Sequence, residues 1–245
     1  MFPNVETLEL LSSYGEEPVD EHFYEGDHVT SNSKKLIMEV EYQEELSGVL
    51  RHSTFPHLTS IEISGPSFFH EDYRPWKEWE DAPMKFFLLR SSCSITSLII
   101  QDVPITSDQT IFLLRLLPEL KLLSLGEYGM QEPWYRQILT HSFIRLLSVN
   151  HDSYSDSSIQ FLSGLTHLAL HACSKDLDQV ALREAIASRW LPDPEYASQI
   201  GVDCLRSVSI RLMGKEEPDI VLYSLRELQD AGMHVEIAHI NEQLD

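Results

Sequence analysis

The chain has 245 residues, 42% of them hydrophobic, and carries 18 Lys and Arg against 39 Asp and Glu for a formal net charge of −21. The length is enough for a buried core, and the charge disfavours nucleic acid and anionic membrane surfaces as partners, since both are anionic. The acidity either keeps the protein soluble or forms an acidic face that attracts a basic partner.

An apolar template of the form L-x-x-L-x-x-L-x-L organises the chain. In chain order, its copies end at the anchor pairs Leu8 and Leu10, Met38 and Val40, Ile61 and Ile63, Leu98 and Ile100, Leu123 and Leu125, Leu147 and Val149, Leu168 and Leu170, Val208 and Ile210, and Val235 and Ile237. The final L-x-L of each copy predicts a short strand with two side chains in the core and one directed outward.

The spacing of these copies is typical of leucine-rich repeats. The anchors Leu98, Leu123, Leu147 and Leu168 are 25, 24 and 21 residues apart, within the range of about 20–29 residues for such repeats. We therefore predict an α/β fold: an irregular leucine-rich-repeat solenoid of about eight or nine repeats. Its parallel strands would line the concave face, with helices and loops on the convex face, in one domain spanning residues 1–245.

Two segments interrupt the repeats. Residues 15–33 are acidic and polar and predict a loop. Residues 66–83 are rich in aromatic and charged side chains and predict an insertion. Either its rings pack back over the edge of the solenoid, or Trp76 and Trp79 form an exposed aromatic anchor for a partner.

Helical signals lie between the later strands. Residues 106–109 form a capping box that predicts a helix ending before Pro118. The stripe of Leu182, Ile186 and Trp190 predicts a second helix, and the stripe of Val221, Leu225 and Leu228 predicts a third that Gly232 terminates. Residues 233–240 predict the closing strand.

The outward strand positions are the candidate binding surface. They form either a solvated face or a site for a protein or peptide. With the two tryptophans, the candidate binding residues are Glu9, Glu62, Trp76, Trp79, Ser124, His167, His171 and Arg211.

We expect no cofactor, metal site or catalytic site. His167 and His171 would lie about 13 Å apart along one strand, too far to share an ion, and no nucleotide-binding or hydrolase motif occurs. The three cysteines are too few and too widely spaced for a disulfide framework. No signal peptide or membrane span is evident, so we expect a cytoplasmic or nuclear location.

Three runs, residues 86–98, 113–120 and 185–190, resemble the leucine-rich part of fungal F-box proteins, and so does the ending at 225–237. The resemblance implies that the repeats select a ubiquitination substrate for a cullin-type ligase. The sequence has no F-box, because the F-box-like residues 116–120 lie inside a repeat, and the chain opens in a repeat at Phe2. We therefore expect the ligase adaptor as a partner only if an F-box precedes this sequence. The alternatives are a structural or vestigial fragment without a specific ligand and, remotely, a hydrolase.

Overall fold

The structure is a computed structural model that describes residues 5–11, 28–65, 76, 78–127, 137–151, 160–173, 177–213 and 220–240. Most of the predicted loop at 15–33 and of the predicted insertion at 66–83 therefore lies outside the described residues.

The described chain contains ten strands and eight helices. The strands are β1 (Thr7–Leu11), β2 (Val29–Thr30), β3 (Lys35–Glu39), β4 (Ser53–Thr54), β5 (Ser60–Ser64), β6 (Ser97–Gln101), β7 (Leu122–Gly126), β8 (His167–Cys173), β9 (Ser207–Met213) and β10 (His234–Ile240). The helices are α1 (Gln43–His52), α2 (Asp81–Ser91), α3 (Ser107–Arg115), α4 (His141–Leu147), α5 (Gln179–Ser188), α6 (Pro194–Ile200), α7 (Ile220–Tyr223) and α8 (Arg226–Asp230).

Eight strands form one sheet in the order β1-β3-β5-β6-β7-β8-β9-β10, and every neighbouring pair is parallel. Strands β2 and β4 pair separately, also in parallel. Parallel neighbours need a crossover connection, and from β3 onward the helices lie in these connections. The sheet order follows the chain order, so each strand is added beside the preceding one.

Two rows of apolar side chains cross the sheet on its core side. The first is Leu8, Leu36, Ile61, Leu98, Leu123, Leu168, Val208 and Val235, and the second is Leu10, Met38, Ile63, Ile100, Leu125, Leu170, Ile210 and Ile237. From β3 to β9 these side chains are at most 3% exposed. Each fully buried aliphatic side chain contributes about 1.5–3 kcal/mol, so the rows are a major source of stability.

The helices cover the core side of the sheet. Leu46 of α1, Phe87 of α2, Leu113 of α3 and Leu182 of α5 belong to the same buried cluster as the strand rows. A smaller cluster lies beside it and consists of Val149, Leu191, Ala197 and Val202. The opposite side of the sheet is thereby left as a separate surface.

The prediction of an α/β fold with a ladder of parallel strands is confirmed. The predicted capping box is present: the Thr106 hydroxyl accepts from the Gln109 amide, and the Gln109 side chain accepts from the Thr106 amide. Leu182 and Ile186 are buried in α5, and Gly232 follows α8 with a φ of 106°.

The strand predicted at residues 147–149 is wrong, because residues 141–147 form helix α4 and Ser148 is its C-cap. The hydroxyl of Thr140 caps this helix by accepting from the Phe143 amide at 3.2 Å. Ile144 and Leu147 are three residues apart, which is also the spacing of one helical face. The template therefore fitted a helix as well as a strand, and Val149 lies beyond it in the smaller cluster.

The register predicted for β3 is wrong by two residues. The run at 36–40 has three apolar residues on one side, and the template selected Met38 and Val40. The sheet instead aligns Leu36 and Met38 with Ile61 and Ile63, while Val40 is buried beyond the strand end. Alternation gives the face of a residue but not its register.

Candidate binding surface on the strand face

The side of the sheet away from the helices carries three rows of side chains, which we call the strand face. The first row is Thr7, Lys35, Ser60, Ser97, Leu122, His167, Ser207 and His234, and the second is Glu9, Ile37, Glu62, Ile99, Ser124, Ala169, Ser209 and Glu236. The third is Leu11, Glu39, Ser64 and Gln101 on β1 to β6, then Gly126, His171, Arg211 and Ala238 on β7 to β10. With about 4.8 Å between strands, the face spans about 34 Å.

The β1 end of the face is acidic. Glu9 is exposed, and Glu62 lies two strands away in the same row. Glu62 pairs with Lys35 of the neighbouring strand, with 2.9 Å between Oε2 and Nζ, and its side chain is 29% exposed. Lys35 therefore compensates part of the negative charge, while Glu9 and Glu39 add to it.

The face is also partly apolar between β3 and β7. Ile37 and Ile99 flank Glu62 in the second row, and Leu122 lies on the next strand in the first row. All three are partly exposed. The prediction did not include Lys35 and Ile37, although alternation with Leu36 and Met38 places both on the outward side of β3.

The β8 and β9 end of the face carries histidine and arginine. His167 is exposed, with its Nδ1 2.8 Å from the Thr166 hydroxyl oxygen, and His171 lies beside Arg211 on the next strand. Burial, and secondarily the Arg211 cation, lower the pKa of His171. The imidazole of His171 is therefore neutral at neutral pH, and Arg211 supplies a full positive charge there.

Ser124 lies in the second row, as predicted, but it is only 7% exposed. Its short side chain is flanked in the row by Ile99 and Ala169. Ser124 therefore lies on the strand face but is too buried to contact a partner well, which corrects its inclusion among the binding residues.

The two tryptophans do not form an exposed anchor. Trp76 and Trp79 are each 3% exposed, and their rings stack with centroids 5.9 Å apart. The Trp76 Nε1–H donates to the Glu78 carbonyl at 2.6 Å, and both rings belong to the main core cluster. Of the two alternatives for this insertion, packing against the core is the one that the structure shows for these residues.

A buried carboxylate at the end of β7 was not predicted. Glu127 is 2% exposed; its Oε1 accepts from the amides of Ile138 and Leu139, both at 3.0 Å, and its Oε2 accepts from the amide of Cys173 at 3.1 Å. These bonds join the segment before α4 to the end of β8. The sequence gives no signal for this role, because the partners are backbone amides distant along the chain.

Among the described residues, no group of three or more His, Cys, Asp and Glu side chains could hold a metal ion. The three cysteines are free thiols. In the part of the chain that the structure describes, no helix is long and apolar enough to cross a membrane.

Comparison of the chain with protein-family models, with curated proteins and with solved structures gave no match.

Proposed function

We propose that this chain is an irregular leucine-rich-repeat solenoid whose strand face binds a protein partner. The supporting observation for the solenoid is the sheet itself: eight parallel strands in chain order, each giving two apolar side chains to a shared core. Stacked repeats bury a continuous core in this way, because one repeat cannot bury its apolar side alone.

The observation that carries the binding role is the composition of the strand face. Carboxylates lie on β1, β3 and β5 and again at Glu236 on β10, partly exposed Ile37 and Ile99 lie on either side of Glu62, and Arg211 lies on β9. Apolar side chains supply affinity to a protein interface, and separated charges fix the orientation of the partner. A protein segment that carries basic residues opposite Glu9 and Glu62 is the occupant that this pattern favours.

We infer a binding role rather than a catalytic one, because the polar side chains of the face are spread along parallel strands and do not converge on one point. The partner class that the F-box resemblance suggests is a ubiquitination substrate, in the cytoplasm or nucleus. Recruitment of a ligase adaptor is proposed only for a longer protein in which an F-box precedes this sequence.

The acidic end can be tested by charge reversal. The chain with Glu9→Lys and Glu62→Lys, captured from cells that express the protein naturally, should recover its main partner at least about tenfold less, because two attractive charges become repulsive. The Glu62→Lys change also places a second cation against Lys35. Recovery by the unaltered chain should fall as salt is raised.

The matched control replaces Glu119 and Glu184, two exposed carboxylates outside the strand face, with lysine. It makes the same change in net charge and should recover the partner as well as the unaltered chain. Equal losses in both variants would show an effect of net charge alone. Specific recovery that neither variant changes would contradict the acidic-end contact, and no specific recovery by any form would favour a repeat fragment without a ligand.

The ligase proposal has its own comparison. If an upstream F-box exists, a version of the chain extended to include it should recover the ligase adaptor, and both versions should recover the same additional protein. Adaptor recovery by the shorter chain, or different additional proteins for the two versions, would contradict this proposal.

A further inference from the structure

Helix α2 carries apolar side chains on two sides. Met84, Phe87 and Leu88 face the core and are at most 9% exposed, whereas Phe86 and Leu89 are 61% and 63% exposed. A helix that is apolar all round is normally buried all round. Among the described residues, none covers the outer side of α2.

The exposed apolar residues of α2 are part of a larger surface that we call the helix-side patch. It consists of Ala82, Phe86 and Leu89 of α2, Phe112 of α3, and the cations Arg51, Lys85 and Arg90. Phe112 is 38% exposed, and the Lys85 ammonium lies 5.9 Å from the centre of its ring, which joins the two helices.

A groove of about 640 Å³ runs along this patch between the end of α1 and the outer side of α2. It is lined by Arg51, Ala82, Pro83, Phe86, Leu89 and Arg90. Ala82, Phe86 and Leu89 lie at positions i, i+4 and i+7 of α2, so they form one stripe along the groove.

Among the described residues, the contacts of the three cations of the patch are mostly with neutral groups. Arg90 donates to the carbonyls of Leu50 and Ser53 and to the Thr54 hydroxyl, all of which are neutral. Lys85 contacts a neutral ring, and Arg51 lies 3.9 Å from Glu80 with both side chains more than half exposed. In a chain of net charge −21, three cations therefore lie around this apolar groove.

We propose that the helix-side patch is a second docking site, which takes an acidic amphipathic helical segment of a partner protein. Apolar side chains of that segment would contact Phe86, Leu89 and Phe112, and its flanking carboxylates would pair with Arg51, Lys85 and Arg90. This is the helix-in-groove mode of recognition, in which an apolar stripe supplies affinity and the flanking charges supply orientation.

Charge favours this occupant over a membrane or a nucleic acid. Each basic residue near an anionic bilayer contributes only about 1 kcal/mol, and the remainder of this acidic chain is repelled by lipid and by phosphate alike. A short acidic segment contacts the patch alone and so meets its local positive potential.

The test uses the full chain and a displayed library of amphipathic helices in which acidic and basic members are equally frequent. Selection should enrich helices with apolar residues at i, i+3 or i+4, and i+7 flanked by Glu or Asp. The Kd of enriched peptides is then measured by fluorescence anisotropy. The change Phe86→Ser with Leu89→Ser should weaken their binding at least about tenfold, as expected at interface hot spots, and so should Arg51→Glu with Lys85→Glu.

The matched control is Val180→Ser, which removes a 48% exposed apolar side chain from α5, away from the patch, and should leave the Kd unchanged. Circular dichroism checks that each variant is folded. If the serine variant unfolds, the Kd of the charge variant tests the proposal. The proposal is overturned by enrichment of basic helices, by no enrichment, or by binding that is insensitive to the patch variants. It is also overturned if the patch instead binds phosphatidylserine vesicles. A dimer of the chain that the serine variant dissociates would overturn it as well.

Discussion

Arg189 shows how a single buried side chain can fix several loops. It is 1% exposed, and its guanidinium donates to the carbonyls of Leu147, Phe161 and Leu162, with 2.9 Å between Nη1 and the Leu162 oxygen. These carbonyls lie at the end of α4 and in the turn before β8. Burial lowers the pKa of Arg189 to about 10, so it remains protonated at neutral pH.

Replacing Arg189 with methionine should lower the free energy of unfolding by about 2–4 kcal/mol. The side-chain volume is nearly kept, while two buried carbonyls and one partly buried carbonyl lose their donor. Urea unfolding measures this loss, provided that the slope of the free energy of unfolding against urea concentration is unchanged. The control Arg206→Met removes an exposed guanidinium and should change stability by less than about 0.5 kcal/mol. Equal effects of the two changes would contradict the structural role of Arg189.

Gly65, just after β5, is required by a close approach of two chain segments. A Cβ there would lie 1.9 Å from the carbonyl oxygen of Asp102, a residue that has a φ of 53°. Gly65→Ala should therefore destabilise the protein by about 1–3 kcal/mol or more, as overpacking does. Gly164→Ala is the control, because its Cβ would meet nothing closer than 3.4 Å. A thermal melt compares the two, and a neutral Gly65→Ala would show that the β5 and β6 ends are not held this closely.

The residue scale also marks a limit of prediction from sequence. Alternation placed Ser124 on the strand face correctly, yet it could not show that this side chain is shielded by its neighbours. Trp76 and Trp79 were compatible with exposure and with burial, because the composition of a segment does not state whether its rings stack on the core. Exposure depends on what packs against a residue, and those contacts come from distant parts of the chain.

At the level of elements, capping and alternation were informative and the repeat template was less so. Helix α3 could be predicted because its capping box is local. The signals of α6 are equally local: Asp193 caps it, Pro194 begins it and Gly201 ends it with a φ of 72°. Helix α4 was mistaken for a strand because one apolar spacing fits both states, and tertiary packing decided between them.

The start of α5 should make stability depend on pH. The Asp178 carboxylate accepts from the Ala181 amide at 2.9 Å, and its Oδ2 lies 2.7 Å from Nδ1 of His141, the first residue of α4. The hydrogen bond from the Ala181 amide, and next the hydrogen bond with His141, lower the pKa of Asp178. A lowered pKa means that this stabilisation is complete above the unfolded value of about 3.9 and is lost as the pH falls through the folded value.

Asp178→Ala should therefore cost about 1 kcal/mol at pH 7, a usual value for a helix cap, and the difference from the unaltered chain should shrink below about pH 4. The control His141→Gln keeps the cap and should cost less. Urea unfolding between neutral and acidic pH measures both differences. A difference for Asp178→Ala that stays constant down to acidic pH would contradict the ionised cap.

At the scale of the whole molecule, the fold places two surfaces of different character on opposite sides of one sheet. The strand face carries carboxylates, most of them toward its β1 end, with partly exposed apolar side chains between them. The helix-side patch instead has cations around an apolar groove. The sequence predicted the parallel ladder, since each strand repeats the same local pattern. It did not predict the patch, because Phe86 and Leu89 look like core residues until the helix they occupy is placed on the sheet.

The most direct test of the strand face as a binding surface is site-specific photo-crosslinking. A photoreactive amino acid replaces Ile99, in the middle of the strand face, or Glu184, an exposed residue of α5 on the helical side, and the chain is irradiated in cells that express it naturally. We predict one specific protein adduct from position 99 that is missing from position 184 and reduced by Glu9→Lys with Glu62→Lys. An adduct from position 184 alone, or none from position 99 above background, would contradict the strand face as the binding surface.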